Sequence, residues 1–456
     1  MDLTQIAQLL DQTLSPDGHV VRTSTEALDR LSSLPQFPFA LLSIAAGGQN
    51  QGQRVAASAY LKNFARRNIE VSHGSSSRVS QEFKSQLMRT LLQAEASVLK
   101  VLVEAFRIIV VAEFVKQNSW PELVPDLRSA IQSSNVISNG ASSELSTINT
   151  LTVLHALVRP FQYFLNPKVA KEPVPPQLEL IAKEILAPLL TVFHHLVEKA
   201  RANHGRKDLE TEKILLLICK CLYFAVRSYM PSAMAPLLSS FCHDLIFILG
   251  SLSLDHGDTS EDEYLLRLKT GKRALLIFCS LTTRHRKYCD KLMQDIINCV
   301  LKIVKCSSNI SVSFICNSSA IISLAKLDFL SERIVSLAFD VISHVLETGP
   351  GWRLVSPHFS FLLESAILPA LMLNEKDMSE WEDDPEEYIR KNLPSELGPP
   401  TVSSNNGSSA SSKRKKGEKN KKNNQRSIGE LLVLPCLSKF PIPSDATASD
   451  PKILKE

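Results

Sequence analysis

Residues 80–117 read SQEFKSQLMRTLLQAEASVLKVLVEAFRIIVVAEFVKQ. Phe83, Leu87 and Leu91, then Val98, Leu102, Phe106 and Ile109, fall at three-, four- or seven-residue spacing. That spacing puts them on helix faces, and the period-two alternation of a strand is missing. Lys100, Glu104, Arg107 and Glu113 interrupt the most apolar part. An amphipathic or buried helix is therefore expected there, and the charges argue against a membrane span.

Working outward, nearly every segment from residue 2 to 374 carries the same helical stripe. Turn-forming stretches divide it at 15–18, 34–39, 72–77, 120–125, 166–176, 228–236, 254–262 and 347–352. Pro and Gly at these points supply turns or the first turn of the next helix. Pro188 either kinks one long helix or separates two. The Ser-rich residues 129–147 read as a loop. A chain of 456 residues is too long for one compact core. Short helix pairs without strands therefore favour an all-α HEAT/armadillo-type α-solenoid, a right-handed superhelix of about nine pairs at a period of roughly 40–47 residues. A large irregular bundle is the alternative, disfavoured because one core cannot keep growing across so many helices.

The net charge of +4 conceals two opposed blocks. Residues 413–426 hold eight basic residues and one acid, and residues 375–387 hold eight acids and one Lys. The first block lies within residues 397–427, which are too polar to bury a core and are expected to be a disordered basic tail. Its densest part, Lys413, Arg414, Lys415 and Lys416, resembles a nuclear localisation signal or a nucleic-acid contact. It contains no aromatic to stack on bases, which argues against nucleic acid, and a charged linker is the plain alternative. Around Trp381, the carboxylates Glu382, Asp383, Asp384, Glu386 and Glu387 form either a solvated loop or a surface for a basic partner. Trp381 and Tyr388 are expected to pack on neighbouring helices.

No catalytic constellation emerges, so no enzyme activity, cofactor or metal is expected. GGQNQG (47–52) lacks the Gly-Lys-Ser/Thr of a phosphate-binding loop. His194 and His195 point about 100° apart on a helix and cannot easily both chelate, even with Glu198 nearby. Cys289 in TTRHRKYCDK (282–291) sits beside cations that can activate a thiol, although a solvated turn is commoner. The nine Cys include no C-x-x-C pair, which suits reduced, buried thiols. The N-terminal residues have no signal-peptide pattern.

The stretch ALLSIAAGGQNQGQRVAASAYLKNFARRNI (40–69) resembles the N-terminal domain of the importin-β (karyopherin) superfamily through Arg54, Ala56, Ala57, Leu61, Lys62 and Asn63. A Trp-Pro-x-Leu at Trp120, Pro121 and Leu123 follows about sixty residues later, and Ile69-Glu70 stands where the family often has a Trp. Residues 366–391 are similar to a segment of the importin seven/eight-like branch and of the related cargo-export receptor, through Trp381, Asp384, Pro385, Glu387, Tyr388, Ile389 and Arg390. That branch continues into further repeats, so the resemblance implies a shortened N-terminal form.

Composition and the resemblance together give four regions. Residues 1–130 are an importin-β N-terminal-like domain, and 131–396 are further helical repeats ending in the acidic segment. Residues 397–427 are the linker, and 428–456 are a short apolar tail. The resemblance further implies binding of the GTP form of the small GTPase Ran, with Arg54, Lys62 and Asn63 as candidate contacts; Asn63 could equally cap a local turn. Protein cargo and phenylalanine-glycine nucleoporins are implied as the other partners. There would be no membrane insertion, and the protein would move between cytoplasm and nucleus through the nuclear pore. A HEAT scaffold or assembly subunit without transport activity is the alternative.

Overall fold

The computed structural model describes residues 2–70, 79–134, 144–162, 173–202, 209–252, 260–310, 321–364, 378 and 381–383. Among them every regular element is helical. The chain divides into two compact units, one of residues 1–252 and 256–290, the other of residues 253–255 and 291–456.

The first unit is built from six consecutive helix pairs. They are α1 (Leu3–Gln12) with α2 (Gly18–Leu31), α3 (Phe37–Gly47) with α4 (Gln51–Ala65), and α5 (Gln81–Gln93) with α6 (Ala96–Val110). Next come α7 (Leu123–Gln132) with α8 (Glu144–Val158), the continuous α9 (Pro176–Ile181) and α10 (Ala187–Ala202) with α11 (Leu209–Val226), and α12 (Leu238–Gly250) with α13 (Glu261–Arg284). The second helices form a ladder in which α4 packs on α6, α6 on α8, α8 on α11 and α11 on α13. Contacts of α3 with α5 and of α10 with α12 repeat the pattern on the first-helix side. Each pair contacts its neighbours and adds its own slice of core, which defines a HEAT/armadillo-type solenoid.

Local chemistry starts these helices where the sequence places polar caps. Asp2, Asp17, Asn50, Ser80 and Ser260 each accept a backbone N–H of the helix that follows. Such caps contribute about 1 kcal/mol each by satisfying otherwise unpaired donors. The core consists of the striped residues: Phe83, Leu87, Leu91, Val98, Leu102, Phe106 and Ile109 are all buried. Trp120 is buried edge-on to Phe106 with 5.9 Å between ring centroids, which anchors the turn into α7.

Two expectations are corrected. Residues 80–117 contain a break without Gly or Pro: Ala94 and Glu95 are extended and separate α5 from α6. The Ser-rich stretch 129–147 is not all loop, since α7 runs to Gln132 and α8 begins at Glu144. Among the described residues seven helix pairs lie between Leu3 and Leu346, where α13 and α15 (Ile321–Leu346) have 24 and 26 residues. Of the two readings of Pro188, the structure gives the single long helix. A wider π turn at Ala182–Leu186 immediately precedes the proline, at the place where the missing N–H and the ring would otherwise disrupt the preceding turn.

Pro176–Ala202 is long and apolar enough to cross a membrane by length and composition. Leu178, Ile181, Ile185, Leu186, Leu189, Leu190, Phe193 and Val197 of this helix are buried against its neighbours, as expected of a core helix. In the second unit α14 (Met293–Ile310) packs on α15, and both pack on α16 (Gly349–Val355), which is followed by α17 (Phe359–Leu362). Gly351 is obligatory there, because a Cβ would lie 1.9 Å from the Val345 carbonyl oxygen.

Candidate partner-binding surfaces

α4 carries the three candidate Ran contacts, and its register divides them. Arg54 and Asn63 are nine residues apart, so at 100° per residue they project from opposite sides, with Lys62 between. Arg54 Nη1 bridges to Glu95 at 2.8 Å, tying α4 to the start of α6. The Gly48 backbone passes close by: a Cβ there would meet Ile44 O at 2.7 Å and Arg54 Cγ at 3.1 Å. Lys62 is half-buried and Asn63 exposed, and among the described residues neither side chain has a hydrogen-bond or ion-pair partner. The helix continues past Asn63 into a π turn at Arg66–Glu70, so Asn63 caps no turn there.

Two polar clusters that periodicity did not reveal hold this end of α4 and the following pair. In the first, Asp29 on α2 accepts from the Tyr60 hydroxyl and from Arg67 Nη1 at 2.9 Å, while Arg67 lies over the Tyr60 ring at 5.6 Å. Burial and the hydrogen bond to Asp29 push the Tyr60 phenol up to about 12. The second is buried. Lys84 on α5 and Glu113 after α6 pair at 2.8 Å with 3% and 1% of their surfaces exposed. Glu113 also accepts from Ser119 Oγ at 2.6 Å and Val79 N at 3.2 Å, and Lys84 donates to Ser119 O at 3.0 Å. Burial opposes ionisation of Glu113, yet these donors together hold its carboxyl below the usual range. Asn118, at φ 50°, makes the turn that delivers Ser119 to the cluster, and Asn tolerates that left-handed conformation.

The structure brings His194 and Glu198 together with Asp244 of α12, with the potential ligand atoms within 4.8 Å of one another; His195 is not in the set. His194 Nδ1 lies 3.0 Å from Asp244 Oδ1, and Arg201 donates to Glu198 at 2.7 Å. Asp244 is buried, which raises its pKa against the opposing effect of His194. Each acid thus has a partner from the chain itself. Cys289 is fully buried with its thiol pushed up to about 11 by burial, and His285 of the same turn donates Nε2–H to Val226 O at 2.8 Å. The turn is therefore docked rather than solvated, and its thiol is unreactive. Cys219, Cys221, Cys242 and Cys299 are buried as well.

In the acidic segment, Glu382 and Asp383 are exposed in a helical stretch with Trp381, which leaves 42% of its own surface exposed. Asp384, Glu386, Glu387, Tyr388 and the tail residues Lys413, Arg414, Lys415 and Lys416 lie outside the described residues.

These features define a helical-repeat solenoid: a stack of helix pairs whose surface presents charge. Residues 24–94, which include the Arg54–Asn63 helix, match the family described as the Importin-beta N-terminal domain. The chain is 22% identical over 399 residues to the "Importin beta-like SAD2 homolog" of Arabidopsis thaliana, covering 86% of this chain and 36% of that protein. It is 21% identical over 404 residues to "Exportin-2" of Homo sapiens, covering 86% of this chain and 38% of that one. Its fold superposes on the exportin Cse1 in its cargo-free, cytoplasmic state with a TM-score of 0.66 at 20% identity, over 87% of this chain and 40% of that structure. The chain therefore carries an Importin-beta N-terminal domain over residues 24–94 and is similar, at 21–22% identity, to proteins named as importin-β-like and exportin. It spans less than two fifths of the length of these two relatives.

Proposed function

We propose that the protein is a nuclear transport receptor that binds Ran in its GTP form and carries protein cargo between cytoplasm and nucleus through the pore. The observation that carries this reading is the match of residues 24–94 to the Importin-beta N-terminal domain. The unpartnered Lys62 and Asn63 on α4 support it. The mechanism is binding alone: a stack of repeats adopts one curvature with cargo and another with Ran·GTP, and each ligand favours the curvature it binds better. Phenylalanine-glycine nucleoporins occupy small apolar slots between helices. The exposed carboxylates Glu382 and Asp383, with Asp384, Glu386 and Glu387, face a basic partner, and long-range attraction speeds that encounter. Lys413, Arg414, Lys415 and Lys416 act as a nuclear localisation signal.

The test is a pull-down and titration of the chain with Ran loaded with GTP or GDP. Tighter binding of the GTP form supports the reading, and Lys62→Glu should weaken it at unchanged helicity. Arg54→Glu is a poorer probe, because it also breaks the bridge to Glu95. Equal affinity for both nucleotide states would favour a helical scaffold without transport activity.

A further inference from the structure

The packed faces of α8, α11 and α13 gather cations, and among the described residues two of them, Lys220 and Arg273, have no acid opposite. His155 of α8 lies 5.1 Å from the Phe224 ring of α11, and Tyr223 stands beside Phe224 with centroids 5.1 Å apart. Arg273 of α13 reaches across, its guanidinium 4.8 Å from the Tyr223 centroid and 5.8 Å from that of Phe224. Arg227 lies over Tyr223 at 5.4 Å while donating to Gln162 at 2.6 Å. Lys220 is near enough for Arg273 and Lys269 to lower its pKa, after burial as the main cause. Burial also lowers the pKa of Arg273. His155 is pushed down to about 3 by burial and then by Lys220, Arg273, Arg159 and Arg107.

The sequence explains why no carboxylate answers them. After Glu144 the α8 helix has no acid, and residues 213–243 and 264–289 contain neither Asp nor Glu. Nearby acids are already engaged: Glu104 pairs with Arg107 at 2.6 Å and Arg159 at 3.8 Å, while Glu212 and Glu263 both hold Arg267. Among the described residues Lys220 and Arg273 have no hydrogen bond or ion pair. Half-burying two like charges side by side destabilises the fold, and clusters of that kind concentrate at functional sites.

We propose that the α8–α11–α13 groove binds an acidic peptide segment of a partner protein, with Lys220 and Arg273 as its central carboxylate contacts. A guanidinium resting on aromatic rings is held in place and can fork a carboxylate. Nucleic acid fits less well, since Tyr223 and Phe224 are buried and offer no open ring face for a base. This surface is separate from the α4 candidates and does not depend on Ran binding.

The experiment measures fluorescence anisotropy of the full chain with a labelled Asp/Glu-rich peptide, an Asn/Gln control of equal length and a single-stranded RNA. The basic residues of 413–426 are replaced by Ser or Gln so that the tail cannot contribute. Saturable binding of the acidic peptide alone is expected, weakened at least tenfold by Lys220→Gln with Arg273→Gln. The melting temperature should hold or rise because the repulsion is gone, and Arg273→Lys, which keeps the charge but loses the fork, should weaken binding less than Arg273→Gln does. If the double variant does not fold, Lys220→Gln alone is read and should weaken binding severalfold. Equal binding of acidic and neutral peptides, or no binding, overturns the proposal. So does unchanged affinity in a folded variant, or a preference for RNA.

Discussion

Asn149 on α8 donates its side-chain N–H to the carbonyl of Ala94 at 2.8 Å and to that of Leu92 at 3.2 Å. A buried amide on the next repeat therefore satisfies the carbonyls left open where α5 ends. The break at Ala94–Glu95 is held by a partner 55 residues away, and this makes it a direct target for substitution.

Asn149→Leu should leave the buried Ala94 carbonyl and the part-buried Leu92 carbonyl without this donor. An unsatisfied buried group costs about 1–3 kcal/mol, so denaturant unfolding should show a loss of that order. Asn149→Asp should lose more, since a carboxylate would face the same two oxygens. An unchanged midpoint for both variants would remove Asn149 from any role in ending α5.

Lys84 and Glu113 should behave as a unit. Lys84→Met alone strands a buried carboxylate, and breaking such a pair from one side costs about 3–5 kcal/mol. The double variant Lys84→Met/Glu113→Leu should recover much of the loss, and a double-mutant cycle measures the coupling. Because the Glu113 pKa is lowered in the folded chain, its contribution is present above the ordinary glutamate value of 4.5 and is lost as pH falls below it.

His285 adds a second acid-sensitive contribution at milder pH. Its pKa is depressed from 6.5 to about 4, chiefly by burial. Between those values the unfolded chain takes up a proton that the folded chain refuses. Its contribution is complete above pH 6.5 and is lost as pH falls towards 4, on the order of 3 kcal/mol in all. Thermal melts from pH 7 to 4 should show this slope, and His285→Gln, which keeps a donor for Val226 O, should reduce it to the part that His155 contributes.

Tyr60 should resist ionisation. An ultraviolet pH titration should show one phenol, absent in Tyr60→Phe, ionising near the value of about 12 rather than 10. Asp29→Asn should bring it down, since the carboxylate favours the protonated phenol. A Tyr60 that titrates near 10 in the intact chain would mean that the link between α2 and α4 is not made in solution.

Helical periodicity and turn residues such as Pro121 and Gly351 were legible because their effects act within a few residues of chain. They determined an all-helical protein of stacked pairs, and Arg54, Lys62 and Asn63 with Trp120, Pro121 and Leu123 carried its family resemblance. Tertiary structure alone decided what depends on neighbours distant in sequence. It split residues 80–117 at Ala94, where no Gly or Pro marks a turn, because Asn149 of α8 supplies the missing donors. It buried Lys84 against Glu113 and turned Arg54 towards Glu95. It also set Arg273 over Tyr223, where two helices of one ladder meet. A charged side chain's role follows from what lies opposite it, and in a solenoid that residue belongs to another repeat.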